Sequence, residues 1–117
     1  MSELDQALDR IRSHPGVEHV LVLGRDRLLI QHAGAAGLDA ETVSAMVPGV
    51  AGAAAALGGA AGLGPAATVV VRLERGVAVV QGLGDEVLLA VLLQGGTGFA
   101  PLLRELADGR ERLASLV

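Results

Sequence analysis

His19 and His32 are the residues whose types and spacing come nearest to chemistry. They sit on two runs rich in Val, Leu and Ile, Val17–Leu23 and Leu28–Ala33, on either side of Gly24-Arg25-Asp26-Arg27. Two such runs around a short polar stretch predict a β-hairpin. With Arg25 and Asp26 as its two loop residues, Leu23 faces Leu28, Leu21 faces Ile30 and His19 faces His32. Two imidazoles opposite each other on antiparallel strands can share a metal ion. A zinc site takes at least three protein ligands, however, and no third ligand falls on that face. The pair is therefore read as solvated histidines near the strand ends, with neither a metal nor a catalytic role.

Other chemistry is sparse. Gly95-Gly96-Thr97-Gly98 precedes a predicted helix, as a phosphate loop does, but Phe99 and Ala100 stand where such a loop carries Lys and Ser or Thr. Gly82-Leu83-Gly84 lacks the third glycine of a dinucleotide fingerprint and is followed by Asp85. The hydroxyls are Ser2, Ser13, Ser44, Ser115, Thr42, Thr68 and Thr97, and none sits in a nucleophile elbow. The carboxylates lie at element ends and in turns, where solvated charge is the normal state. No active site is predicted, no cofactor is called for, and the chain is not read as an enzyme.

Composition narrows the classes further. With 117 residues the chain is read as one domain, 1–117. It has no cysteine, which fits a reducing cytoplasm, and no lysine, so neither a disulfide framework nor a lysine nucleophile is available. A net charge of -4 and a single phenylalanine argue against nucleic acid, which wants a basic face and stacking platforms. The acidic, amphipathic N-terminal segment MSELDQALDRIR is not a secretory signal.

The elements that must hold these residues begin with Ser2-Glu3-Leu4-Asp5, a capping-box-like start to a helix carrying Leu4, Ala7, Leu8 and Ile11 at helical spacing and stopping at His14-Pro15-Gly16. The hairpin follows, apolar on both faces near its turn, which asks for helices above and below the sheet. Next comes one long helix between Asp39, its N-cap, and Gly64-Pro65, its stop. From Thr42 to Val71 no residue is charged. Its glycines at 49, 52, 58, 59 and 62 each lower helix propensity by about 1 kcal/mol relative to Ala, and Pro48 should kink it. Thr42–Leu63 is long enough to span a bilayer, but Ala and Gly supply little insertion energy and no aromatic belt flanks it, so no membrane association is expected. Three strands, Ala67–Leu73, Val77–Leu83 and Val87–Leu93, joined by short turns, form an antiparallel meander. A last helix, with Pro101 in its first turn, carries Phe99, Leu102, Leu103, Leu106, Leu113 and Leu116. The fold class is therefore α/β (α+β): a five-stranded antiparallel sheet between helices in the order αββαβββα.

Two features point to association. Strand Ala67–Leu73 has no Pro, Lys or inward charge to blunt it; at a sheet edge it would pair with a copy of itself. The sequence leaves open whether it is an edge or an internal strand. On the long helix, Val43, Met46 or Val47, Val50, Ala54, Leu57 and Ala61 form a stripe assigned to the sheet. The remaining face, including Ser44, Ala45, Pro48, Gly52 and Ala55, is small and uncharged, as an interface is.

The αββαβββα order, the N-terminal L-x-x-x-L helix, the hairpin VLVLGRDRLLIQHAG and the helix start DAETVSAM together resemble the Roadblock/dynein light chain family, in particular its bacterial small-GTPase regulators. The likeness covers essentially the whole chain and departs from the usual form at Arg27, where the hairpin often carries Gly. The resemblance implies a cytoplasmic homodimer in which the third strand, here Thr68, Val69, Val70, Val71 and Arg72, pairs with its mate. It also implies that the paired long helices, through Ser44, Ala45, Pro48, Gly52 and Ala55, form a platform for a Ras-like small GTPase, whose hydrolysis the dimer would regulate without supplying a catalytic residue. Two alternatives are a scaffold of the same fold with no effect on GTP hydrolysis, and a small-ligand sensor with a pocket between sheet and helix.

Overall fold

The computed structural model describes residues 2–117. Helix α1 (Glu3–Arg12) starts as its sequence dictates: the Ser2 hydroxyl accepts from the Asp5 amide, and the Asp5 carboxylate accepts in return from the Ser2 amide. Strands β1 (Val17–Gly24) and β2 (Leu29–Gly34) form the hairpin, and helix α2 (Ala40–Ala60) follows. Strands β3 (Thr68–Leu73), β4 (Gly76–Gly82) and β5 (Val87–Gln94) make the meander. The sheet order is β2-β1-β5-β4-β3, with every neighbouring pair antiparallel. The predicted last helix is broken at Gly109 into α3 (Ala100–Asp108) and α4 (Arg110–Ser115).

The central strands β1 and β5 are buried on both faces, and the side-chain period of two sorts their residues into two cores. Val20, Val22, Leu89 and Val91 pack with Leu8 and Ile11 of α1 and Leu102, Leu106 and Leu113 of α3 and α4. Leu21, Leu23, Leu88 and Ala90 pack with Ala40 and Val47 of α2. One face of the sheet thus has three helices and the other has α2 alone. On the first face Glu105 of α3 ties down α1 and the turn after it, accepting from Arg10 Nε at 2.9 Å and from His14 Nε2. Gln81, also buried there, donates from Nε2 to the Leu106 carbonyl at 3.0 Å, just before the break at Gly109.

The hairpin register departs from the sequence-based expectation. Leu21 pairs with His32 and His19 with Gly34, and a bulge between Val22 and Leu23 sets Leu23 opposite Leu29. The reason lies in the turn. The Gly24 amide donates to the Leu28 carbonyl and the Arg27 amide to the Gly24 carbonyl, so Arg27 belongs to the loop, at φ +75°. The Asp26 carboxylate stabilises the turn by accepting from the Leu28 amide at 3.1 Å. Leu28 and Ile30 are consequently exposed rather than facing Leu23 and Leu21.

Helix α2 passes Pro48 without a break and ends earlier than Gly64-Pro65. Its stop is Gly62 at φ +69°, with Leu63 donating to the Gly58 carbonyl at 2.8 Å and Gly62 to the Gly59 carbonyl at 3.3 Å. That double bond pattern around a left-handed residue is the Schellman motif.

Arg27 is the only non-glycine at positive φ among the described residues. A left-handed L-residue is strained by about 1–2 kcal/mol, partly offset in Gly by its greater freedom when unfolded. Arg27→Gly is expected to stabilise the chain by about 1 kcal/mol, read as a higher midpoint in thermal unfolding. An unchanged or lower midpoint would show that the Arg27 side chain compensates the strain.

Candidate interaction surface

The surface begins with β3. It is an edge strand, so Thr68, Val69, Val70, Val71 and Arg72 all lie on the border of the sheet. The two borders differ. β2 carries the bulge of its pairing with β1, a device that spoils an edge for further pairing. β3 runs in unbroken register with β4 from Thr68↔Gln81 to Leu73↔Gly76. Its outer N–H and C=O groups are therefore presented on a regular ladder. Val70 is 39% exposed and Leu73 62%.

Helix α2 lies beside this edge, on the face to which Val69 and Val71 point. Its buried stripe is Ala40, Ser44 and Val47, with Val43, Val50, Ala51 and Ala54 half-buried. This corrects two expectations. Ser44 is not on the outer face: it is fully buried, because the helical period places it between Ala40 and Val47, and its Oγ has no hydrogen-bond partner among the described residues. Met46 and Leu57 do not cover the sheet: they are 64% and 69% exposed, and Leu63 beyond the helix end is 81% exposed. The small residues Ala45, Pro48, Gly52 and Ala55 do reach the surface, Ala45 and Pro48 in part.

The glycines of α2 divide by cause. Gly62 is the left-handed cap, and a Cβ on Gly58 would meet the Gly64 carbonyl at 2.1 Å. Around Gly49, Gly52 and Gly59 a Cβ would meet nothing within 4 Å. Nothing within this chain requires glycine at those three positions. Apolar side chains and bare backbone together form an uncharged face continuous with the β3 edge.

His19 and His32 lie on the same face of the sheet near the β2 edge. The expected direct pairing of the two becomes a diagonal one, and they stay on one face because a shift of two residues keeps every side chain on its own face. His19 Nδ1 is 3.1 Å from His32 Nε2, with ring centroids 5.2 Å apart. The two nitrogens therefore point at each other, as an N–H···N hydrogen bond requires, and not towards a third point. Gly34 makes room: a Cβ there would come within 2.2 Å of His19 Nδ1. The expectation of two separately solvated rings is thus replaced by a half-buried, hydrogen-bonded pair. No group of three or more metal-ligating side chains occurs among the described residues.

A profile of the Roadblock/LC7 domain matches residues 3–93. The chain belongs to the Roadblock/LC7 family. Among solved structures, it superposes on MglB of Myxococcus xanthus with a TM-score of 0.86 at 16% identity, covering 98% of this chain and 94% of that one. It is similar to a Roadblock/LC7 domain from Streptomyces avermitilis at TM-score 0.85 and 23% identity, covering 97% of both chains. The gliding protein MglB of Thermus thermophilus gives 0.84 and 20%, over 97% of this chain and 87% of that one. No curated protein matches the sequence at a significant level.

The titrating groups set distinct pH windows. Burial, the charge of His19 and the charge of Arg12 hold the His32 imidazole below its ordinary pKa of 6.5. The unfolded chain therefore binds that proton more readily, and stability declines as pH falls from about 6.5 towards the depressed value. Burial raises the Glu105 carboxyl, but hydrogen bonds from His14 and Arg10 and their charges outweigh it, so its contribution is lost only below its ordinary 4.5. Thermal midpoints measured from pH 7.5 to 5 should fall, and His32→Asn should flatten that slope; an equal slope in the variant would refute the assignment.

Proposed function

We propose that this chain acts as a non-catalytic regulatory module: two copies pair through β3, and their α2 helices together bind and regulate a Ras-like small GTPase. The observation that carries the reading is the continuity of a regular, unblunted edge strand with a charge-free helix face bearing Met46, Leu57 and unexplained glycines. Open edges and large exposed apolar patches are uncommon on isolated soluble domains, and both are relieved together if a second copy extends the sheet and brings its helix alongside. Gly49, Gly52 and Gly59 gain a reason if a neighbouring backbone approaches there. The GTPase as partner, a GTPase-activating role and the cytoplasm as location are taken from the family resemblance. Ala45, Pro48, Gly52 and Ala55 are the platform residues in this reading; Ser44 acts only from beneath, as part of the helix seat.

A two-fold pairing of Thr68–Arg72 with itself centres on Val70, so Val70→Arg would set two guanidinium groups opposite each other. The wild type should sediment as a dimer at micromolar concentration and the variant as a monomer with unchanged circular dichroism. A wild-type monomer at that concentration would overturn the pairing.

Ala55→Arg tests the platform separately. It should leave the dimer and the thermal midpoint intact while lowering affinity for the cognate GTPase by about a hundredfold or more, since a buried unpaired charge costs several kcal/mol. Unchanged affinity would remove the helix face from the partner site. A GTP-hydrolysis assay with the same partner separates regulation from scaffolding alone.

A further inference from the structure

We infer that Arg25 and Arg110 form a binding site for a small oxyanion in the cavity between the C-terminal half of α2 and the β3–β4 end of the sheet. The cavity measures about 260 Å³. Its walls include Ala51 and Ala55 of α2, Thr68 and Val69 of β3, and Gly82. The two arginines reach it from distant parts of the chain, Arg25 from the β1–β2 turn and Arg110 from the start of α4. Both arrive at one point. A Cβ on Gly82 would lie 3.2 Å from an Arg25 terminal nitrogen and 3.9 Å from an Arg110 terminal nitrogen.

This convergence is unusual for its surroundings. The chain has 13 acidic residues against 9 basic ones, so carboxylate partners are plentiful. Among the described residues, however, the ion pairs join only Arg10 and His14 to Glu105, and neither Arg25 nor Arg110 makes a side-chain hydrogen bond. Both arginines are exposed, so solvent screens much of their mutual repulsion, and a bound anion removes what is left. Guanidinium groups present planar forks of donors that match carboxylate and phosphate oxygens. The absence of a side chain at Gly82 lets the Arg25 guanidinium come close over the β4 backbone, and Thr68 lies on the same wall. Asp85 also lines the cavity, paired with neither arginine. With two arginines against one carboxylate the site keeps a net positive charge, so a small oxyanion is still attracted. A ligand that also turns a hydroxyl or amine to the carboxylate is held more tightly. The volume suits a phosphomonoester headgroup or a small carboxylic acid better than a whole nucleotide.

Inorganic phosphate and malonate, each titrated into the full chain at constant ionic strength, test the site by calorimetry and by backbone amide shifts. Saturable binding that moves the Thr68, Gly82 and Gly84 amides is expected, and the stronger of the two ligands identifies the class of oxyanion. Arg110→Gln and Arg25→Gln should each weaken it by about tenfold, the scale of one lost charge-assisted hydrogen bond. Asp85→Asn should strengthen phosphate binding by removing a repulsive charge. Because Arg25 lies in the hairpin turn, Arg110→Gln, at the helix surface, is the decisive variant. Shifts that never saturate with either ligand, or undiminished affinity in Arg110→Gln, would overturn the site.

Discussion

The structure depends on a sheet whose central strands are apolar on both sides. β1 and β5 present Val20, Val22, Leu89 and Val91 to one face and Leu21, Leu23, Leu88 and Ala90 to the other. Neither face can be left to water, so the chain must supply two helical layers. It does so unequally. α1, α3 and α4 share one face and are joined by the Glu105 contacts to Arg10 and His14, while α2 has the other to itself.

A single helix cannot cover five strands, and the consequences of that shortage shape the rest of the surface. α2 lays Ala40, Ser44 and Val47 on the sheet and has no helical neighbour in its own layer. Its remaining circumference, instead of carrying the charges that solvate a surface helix, carries Met46, Leu57, glycine and alanine. The small inner residues let the helix sit close to the sheet. The bare outer positions at Gly49, Gly52 and Gly59 weaken the helix without any return from this chain. The glycine cost and the open β3 edge would both be relieved by the proposed second copy.

Several parts of this arrangement were legible in the residues because their causes are local. The Ser2/Asp5 capping box, the Asp39 cap, the five strands and the apolar doubling of β1 follow from patterns within a few positions of each other. The hairpin register was not legible, since Arg27 hides a left-handed loop position that a glycine would have announced. The seating of α2 was misread for a related reason. Following bulk along the helix led to Leu57, whereas the helical period led to Gly58, and in a helix so poor in large side chains the period decides. Ser44 illustrates the same point: a stripe drawn through the bulky residues leaves it on the small outer face, and its phase puts it in the core. Gln81 inside β4 gave no signal at all, because its role depends on the Leu106 carbonyl, which only the packed helix brings near.

By itself, then, the sequence determined the elements, their order and the need for helices on both sides of the sheet, because hydrophobic period and capping chemistry act over short distances. It also displayed a span from Thr42 to Val71 with no charged residue, the feature on which the proposal of a covered helix rests. The tertiary structure alone decided that β3 is an edge and that His19 and His32 share a hydrogen bond. It alone decided that Arg25 and Arg110 meet above Gly82. Strand order and side-chain convergence depend on which distant segments become neighbours, and no local pattern encodes that choice.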